Sequence, residues 1–241
     1  MDDAPDLPRY LQLLWGAEAD GRRGPRPGQT IEGIGDAAVA IADRHGLDAV
    51  SMKAVAERLG MTTMSLYRYV DAKDELYAVM MDRGYGPPPA RLATRGGWRT
   101  RLEAWGRGIA ANLVAHPWMV QVPITSPPVT PNVLAWTERG LRALSPSPLT
   151  EQEKLSSMLV VDGYVRQHVG QSLVMGFLGT GATAEPPGWP VLAVADPDRF
   201  PYLLAASPAI EGDGGDFFDE ELTFGLGLIL DGVAALVARR S

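Results

Sequence analysis

Two short amphipathic segments on either side of a glycine constrain the fold of this chain more than any other feature. Residues 51–59 begin with a serine that can cap a helix, and a second segment runs from position 62 or 63 to Tyr69. Gly60 closes the first segment and supplies the turn. A short helix, a tight turn and a second helix form the arrangement that lets the second helix enter the major groove of DNA.

The rest of the chain also has helical periodicity, and no stretch alternates as a half-buried strand does. Thr30 and Asp71 are predicted to cap helices, and Thr150 with Glu153 forms a capping-box pattern. We therefore predict an all-α fold: an N-terminal three-helix helix-turn-helix domain followed by a larger helical domain. Further helices are expected at residues 30–45, from 72, 98–115, 131–144, 150–175, near 200–206, and 219–239.

Glycine and proline clusters divide the chain into three parts. Residues 16–29 are rich in Gly, Pro and Arg and predict a flexible basic arm, and residues 7–15 are either a short docked helix or part of a mobile tail. The run Gly-Pro-Pro-Pro at 86–89 cannot continue a helix. The predicted parts are an extension and arm (1–29), a DNA-binding domain (30–84) and a ligand-binding and dimerisation domain (85–241).

Composition limits the function and location. The net charge of −7 is unusual for a DNA-binding protein, but residues 21–84 carry as many basic as acidic side chains, so the acidic surplus lies elsewhere. Cysteine is absent, which excludes disulfides and thiolate sites and fits a reducing compartment. The N-terminus lacks an apolar signal, and the apolar runs, such as 226–230, are shorter than a bilayer requires. We predict a cytoplasmic protein without a membrane partner.

The second short segment has the side chains that DNA recognition requires. Short hydroxyl groups stand at its start, Leu66 and Val70 can anchor it, and hydrogen-bond donors for phosphates follow. The alternatives are that the tyrosine at 67 is only packed, the lysines only solvated, and Met64 without a role. The predicted DNA contacts in this region are Lys53, Thr62, Thr63, Met64, Ser65, Tyr67, Arg68, Tyr69 and Lys73.

Residues 30–82 resemble the DNA-binding domain of the TetR family, most specifically in the stretch LGMTTMSLYRYVDAKDEL. The resemblance implies that Thr63, Met64 and Ser65 face the bases, where Met64 could contact a thymine methyl. It also implies phosphate contacts from Tyr67, Tyr69 and Lys73, and a groove-edge contact from Lys53. Arg22, Arg23 and Arg26 resemble arms that some members lay along DNA; a solubilising tail is the alternative.

The C-terminal part resembles the tetracycline-repressor-type regulatory domain through HPWM (116–119), the long helix from 149 to 175, and residues 224–240. This resemblance implies a four-helix dimer interface, with Phe224, Leu228, Gly232 and Ala235 on the last helix. Packing within one subunit would give the same apolar pattern. A two-fold dimer suits a palindromic operator, because its two recognition helices must reach successive major grooves.

Aromatic residues and methionines in the middle helices suit an apolar ligand pocket or an ordinary core. The predicted pocket residues are Trp105, Trp118, Trp136, Met158, Tyr164 and His168. We find no catalytic signature, no metal-ligand spacing and no cofactor motif, so we expect no enzyme activity, catalytic residue, metal or cofactor.

These patterns together predict a ligand-responsive DNA-binding regulator. We expect a homodimeric repressor that a small-molecule effector of unspecified identity releases from double-stranded DNA. The alternative is a helical small-molecule sensor or antirepressor that has lost operator binding.

Overall fold

The computed structural model describes residues 7–16, 29–124, 127, 129–178, 193–211 and 216–240. The described ranges are helical and contain no strand, which confirms the all-α prediction. Short 3-10 helices lie at Leu47–Ala49 and Pro117–Val120. The α-helices are α1 (Arg9–Leu14), α2 (Ile31–His45), α3 (Met52–Arg58), α4 (Thr63–Leu66), α5 (Lys73–Tyr85), α6 (Trp98–Ala115), α7 (Pro131–Leu144), α8 (Glu151–Met175), α9 (Pro201–Glu211) and α10 (Phe217–Arg240).

Local side chains set several helix starts as predicted. The Thr30 side chain accepts the N–H of Gly33, and Thr150 and Glu153 form the full capping box. The predicted Asp71 cap is wrong: α5 begins after Ala72, which makes no side-chain cap. Glu75 Oε2, four residues further along, instead accepts the backbone N–H of Asp71 at 2.6 Å, so this N–H group has a hydrogen-bond partner.

The contacts divide the chain into two compact units, residues 1–147 and 148–241. In the first unit α2 packs closely on α5. Gly35 permits this approach, since a Cβ there would lie 2.5 Å from Cγ of Arg83. The Arg83 guanidinium also donates to Asp36 at 2.7 Å. Direct packing and an ion pair therefore join the two helices.

The segment at 7–15 contains a docked helix, α1, and is therefore not part of a mobile tail. Leu11 of α1 is buried, and α1 contacts both α2 and α5. The indole N–H of Trp15 donates to the carbonyl of Val129 at 3.1 Å. The arm that follows, including Arg22, Arg23 and Arg26, lies outside the described residues.

The first compact unit also includes α6 and α7, beyond the predicted domain boundary at residue 84. Asp82 of α5 is buried and accepts the backbone N–H of Asn132 at 2.7 Å and its side-chain amide at 2.8 Å. A carboxylate near the first turn of α7 also complements the helix dipole. These bonds fix α7 to α5. The boundary between the compact units therefore lies after residue 147 and not at the glycine–proline run at 86–89.

In the second unit α8 packs against α10 along a line of buried aliphatic side chains, including Val161, Val165, Leu226 and Leu230. Helix α9 is longer than the segment predicted near 200–206, and α10 extends slightly past the predicted ends of 219–239. Residues 179–192, which include most of a glycine- and proline-rich stretch at 176–190, lie outside the described residues.

Candidate nucleic-acid interface

Helices α3 and α4 and the turn between them form the predicted helix-turn-helix. Ser51 caps α3 by accepting the N–H of Ala54 at 3.1 Å. Gly60 has a φ of +64°, in the left-handed region that glycine adopts most easily. The N–H of Met61 then returns to the carbonyl of Ala56 at 3.0 Å, and the chain turns directly into α4.

The second helix is short, but its orientation is well anchored. Leu66 and Val70 are fully buried, and together with Val55 of α3 they form part of the core. The α-helical hydrogen bonding ends at Leu66, and turns continue to Tyr69, so the helix is shorter than the sequence predicts. Because Leu66 and Val70 point inward, the intervening Tyr67 and Arg68 are left at the surface.

Met64 is the residue of this segment with the most unusual environment. It is a large apolar side chain, yet it is 78% exposed at the start of α4. Thr63 and Ser65 on either side are half-buried. An isolated exposed apolar residue needs no special explanation by itself, and Met64 lies on the second helix, where the sequence predicts a base contact.

The hydroxyl groups at the start of α4 are partly engaged within the protein. Thr62 Oγ1 accepts the backbone N–H of Ser65 at 3.1 Å and lies 2.9 Å from Ser65 Oγ. This bond caps the helix, so Thr62 has a structural role in addition to its predicted contact. Whichever of the two hydroxyl groups donates to the other, one of the two protons stays available for an external acceptor.

The residues predicted to contact phosphates differ in their exposure and in the partners of their polar groups. Tyr67 and Arg68 are exposed, and the Lys73 ammonium lies 5.2 Å from the centre of the Tyr77 ring. Lys53 is exposed, with its ammonium 3.8 Å from Glu57. Such an exposed pair contributes little and is easily exchanged for a phosphate.

Tyr69 is held more firmly than its neighbours. Its hydroxyl donates to the carbonyl of Gln29 at 3.1 Å, immediately before α2. A tyrosine hydroxyl has a single proton, so a phosphate contact from Tyr69 requires that this hydrogen bond be exchanged.

The three predicted pocket tryptophans are buried in the first unit with their N–H groups satisfied. Trp105 donates to the carbonyl of Trp136 at 2.8 Å, and Trp136 donates to the carbonyl of Gly86 at 3.0 Å. Trp118 donates to Asp43 of α2 at 2.7 Å, on the same oxygen that lies 2.8 Å from Nδ1 of His116. Their polar atoms therefore hold helices together, and only their ring surfaces remain for a ligand.

The predicted pocket residues of the second unit lie on α8 and lean towards α10. His168 is buried, with Nε2 2.9 Å from the carbonyl of Phe218, and it stacks on the Phe218 ring at 4.8 Å. The Tyr164 hydroxyl donates to the carbonyl of Glu221. Burial, followed by the charge of Glu221, raises the pKa of Tyr164. Met158 is buried on the same helix.

The four residues predicted at a dimer interface are all exposed on α10. Phe224 is 63% and Leu228 59% exposed, whereas Leu222 and Leu226 of the same helix are buried. Leu159 of α8 is also mostly exposed. This arrangement disagrees with packing of the predicted face inside one subunit, which was the alternative explanation of the pattern.

Helix α10 is also long and apolar enough to cross a bilayer, with a mean hydropathy of 1.7 in its most apolar stretch. The prediction from the short apolar run at 226–230 missed this, because Gly, Ala and Thr extend the apolar stretch without being strongly hydrophobic. One such helix is weak evidence for a membrane span, since the core helix of a soluble protein passes the same test. No cluster of metal-ligating side chains occurs in the described part of the chain.

Sequence reasoning missed Asp43, Asp82 and Asn132, whose hydrogen bonds join α2, α5 and α7 and the segment after α6. Each is an ordinary polar residue within a helix in the sequence. Its partner lies at least 50 residues away, and no local spacing indicates the pairing.

This fold and this exposed, capped second helix define a helix-turn-helix DNA-binding protein. Residues 34–80 match the family model described as bacterial regulatory proteins, tetR family, and residues 90–237 match that of the tetracyclin repressor-like C-terminal domain. The chain belongs to the TetR family, and it is a DNA-binding transcriptional regulator.

Two curated relatives and one solved structure illustrate the similarity. The transcriptional repressor DrrR1 of Streptomyces coeruleorubidus is 39% identical, over 98% of this chain and 88% of its own. A transcriptional regulator of Saccharopolyspora erythraea is 28% identical, over 80% of this chain and 81% of its own. Apo ActR of Streptomyces coelicolor, at 22% identity, shares the fold with a TM-score of 0.76 over 89% of this chain and 99% of its own.

Proposed function

We propose that this chain is a cytoplasmic, homodimeric repressor without enzyme activity, which binds a palindromic operator and leaves it when a small effector binds. Residues 30–84 bind DNA, and residues 85–241 bind the effector and dimerise. The observation that carries the proposal is the second helix of the helix-turn-helix. Leu66 and Val70 are buried, while Met64 and Tyr67 are exposed on a capped segment.

In this proposal the start of α4 reads bases and the flanking residues hold phosphates. Met64, with Thr63 and Ser65, faces the groove, where a thioether side chain packs well on a thymine methyl. Tyr67, Arg68 and Lys73 contact one side of the backbone, and Lys53 the groove edge. Thr62 caps the helix, and one hydroxyl proton of the Thr62–Ser65 pair stays available to DNA. The bond from Tyr69 to Gln29 makes Tyr69 the least accessible of the proposed contacts.

Dimerisation uses the exposed apolar side of α10 together with α8. Spacings of three or four residues keep side chains on one side of a helix. The residues of this side of α10 have such spacings: Phe224, Leu228, Gly232 and Ala235. Large exposed apolar residues beside small ones permit close packing of a second copy. A two-fold dimer would present two copies of α4 about 34 Å apart, the separation of successive major grooves.

A second copy of the chain fits this surface better than a bilayer. Asp231 is exposed between Leu228 and Gly232 near the middle of the apolar stretch. A carboxylate at the centre of a bilayer costs about 2.5–3.5 kcal/mol on insertion scales. At the edge of a helix–helix interface the same carboxylate stays in water.

The effector is proposed to be a largely apolar small molecule. ActR has been crystallised with actinorhodin. In this chain an aromatic ligand would suit ring surfaces such as those of Trp105, Trp118 and Trp136. His168 and Tyr164 use their polar atoms on backbone carbonyls of α10, so they would contact a ligand through their rings. Effector binding releases DNA only if the effector prefers the conformation with low operator affinity.

Selection of random duplex DNA by the purified full chain at moderate salt tests this function. Enrichment of a palindrome with half-sites about one helical turn apart supports a dimeric, sequence-specific regulator. A folded dimer that enriches no sequence would instead indicate a sensor or antirepressor without operator binding.

A further inference from the structure

Three arginines of the first unit converge on one small cleft beside the loop that precedes α6. The cleft has a volume of about 180 Å³ and is lined by Ala93, Thr94, Arg101, Arg139, Arg142 and Ser145. Arg101 comes from the first turn of α6, and Arg139 and Arg142 stand three residues apart on the last turns of α7. None of the described residues that line this cleft is a carboxylate.

The arginines keep donor capacity for a ligand. Arg101 Nε is buried and makes no hydrogen bond with any described group. One N–H of Arg139 donates to the carbonyl of Ala90 at 3.2 Å, which holds this side chain in place and leaves its other donors. Arg142 is exposed, so the cleft opens to solvent. A buried donor without an acceptor lowers the stability of the fold, and an anion bound in the cleft would supply that acceptor.

The other polar groups of the cleft do not compete for an anion. The Thr94 hydroxyl donates to the carbonyl of Arg91 at 2.9 Å, and the Ser145 hydroxyl donates to the carbonyl of Arg142 at 3.0 Å. Both hydroxyl protons are therefore used. A molecule in the cleft meets guanidinium N–H groups as its donors, and planar guanidinium forks match carboxylate and phosphate oxygens.

The backbone at the cleft is also unusual. Ala93 is buried with a φ of +53°, the one left-handed residue other than glycine in the described chain. Such strain tends to persist where the surroundings require it, often at ligand sites. The arginine cluster and this backbone are independent features of the same cleft.

We propose that this cleft binds an oxyanion, either a carboxylate or a phosphate group of a small molecule. Its volume is below the roughly 300–1,000 Å³ of pockets that enclose drug-sized ligands. It therefore accommodates a small anion or the anionic end of a larger molecule. The inference is independent of the proposed repressor function, since neither operator nor effector enters the argument.

Calorimetric titration with inorganic phosphate and, separately, citrate tests the proposal at constant ionic strength. Wild-type protein should bind at least one of them saturably at one site per chain, and the preferred probe distinguishes phosphate from carboxylate. Arg142→Gln and Arg101→Gln should each weaken binding at least about tenfold, or about 1.4 kcal/mol. Arg142→Lys should fall between, because lysine keeps the charge and loses the fork.

Arg95→Gln is the matched control, since it removes the same charge from an exposed position of the same loop that does not line the cleft. It should bind the anion as wild type does. Arg142 is exposed, so Arg142→Gln should fold even if Arg101→Gln does not. The proposal is overturned if wild type binds neither anion saturably, or if Arg142→Gln binds as tightly as wild type. A loss of DNA affinity in Arg142→Gln as large as in Lys73→Gln would also overturn it, because these arginines would then serve DNA.

Discussion

Met64 and Lys73 show how a residue's surroundings refine what its type suggests. The sequence marks both as DNA contacts, and in the fold both are exposed, close to firmly packed residues. The bond from the Tyr69 hydroxyl to the carbonyl of Gln29 was not foreseeable, because its partner lies 40 residues away. The Thr62 cap is local, since it acts on the N–H three residues ahead. For these residues the sequence indicates which chemical group is present, and the structure shows whether that group is exposed or already hydrogen-bonded within the protein.

Lys73→Gln tests a phosphate contact. Each phosphate contact contributes about 0.9 to the slope of log affinity against log salt concentration, and a dimer loses two contacts. We expect operator affinity to fall and the magnitude of the slope to drop by about two. Anisotropy titrations at several salt concentrations measure this, with Arg95→Gln as the charge-matched control. An unchanged slope would show that Lys73 is only solvated.

At the scale of the element, the sequence predicts well those helix starts that a Ser or Thr side chain caps. Thr30, Ser51 and Thr150 cap the helices predicted for them, because their acceptors act on N–H groups three residues ahead. The cap predicted for Asp71 is wrong, because α5 begins after Ala72. The Glu75 carboxylate accepts the backbone N–H of Asp71. The bonds from Trp118 to Asp43 and from Asn132 to Asp82 connect distant segments, and neither periodicity nor spacing carries that information.

Packing of α8 on α10 depends on Gly225. A Cβ at this position would lie 2.1 Å from Cζ of Tyr164, so Gly225→Ala must displace the ring and its bond to Glu221. We expect a loss of about 1–3 kcal/mol in unfolding free energy, as for other overpacked sites.

Gly227→Ala is the matched control on the same helix. A Cβ there meets nothing within 4 Å, so we expect a gain of about 0.5–1 kcal/mol from helix propensity. Urea unfolding at matched protein concentration measures both variants. Equal effects of the two substitutions would refute the tight contact.

The capping box of α8 gives a pH dependence with a defined sign. The Thr150 backbone N–H, and then Arg240, lower the pKa of Glu153 below its ordinary value. A lowered folded-state pKa stabilises the fold above the ordinary glutamate pKa of about 4.3, and this contribution is lost as pH falls through the folded-state value.

Glu153→Gln keeps a capping side chain but loses the charge. It should therefore be less stable than wild type at pH 7 and approach wild type as the pH falls below the ordinary glutamate range. Urea midpoints across pH 3–7 measure the difference. A difference that stays constant over this range would contradict the assignment.

At the scale of the whole molecule, the four residues predicted for the dimer interface are solvent-exposed in one chain, and a second copy would bury them. Leu228→Arg places a charge in the middle of this surface, and we expect it to convert the dimer into a monomer of 25.9 kDa. Light scattering coupled to size-exclusion chromatography measures the mass. Leu134→Arg makes the same change at an exposed position of α7 and should stay dimeric. A dimeric Leu228→Arg protein would exclude this surface.

The central claim is that α4 reads operator bases, and selection repeated with Met64→Gln tests it most directly. Glutamine recognises adenine through N6 and N7, whereas methionine packs on a thymine methyl. We expect the variant to enrich the same palindrome, with the preference at one symmetric position in each half-site shifted from thymine to adenine. If the variant enriches an unchanged sequence with wild-type affinity, Met64 does not face the bases, and the placement of α4 in the groove is wrong.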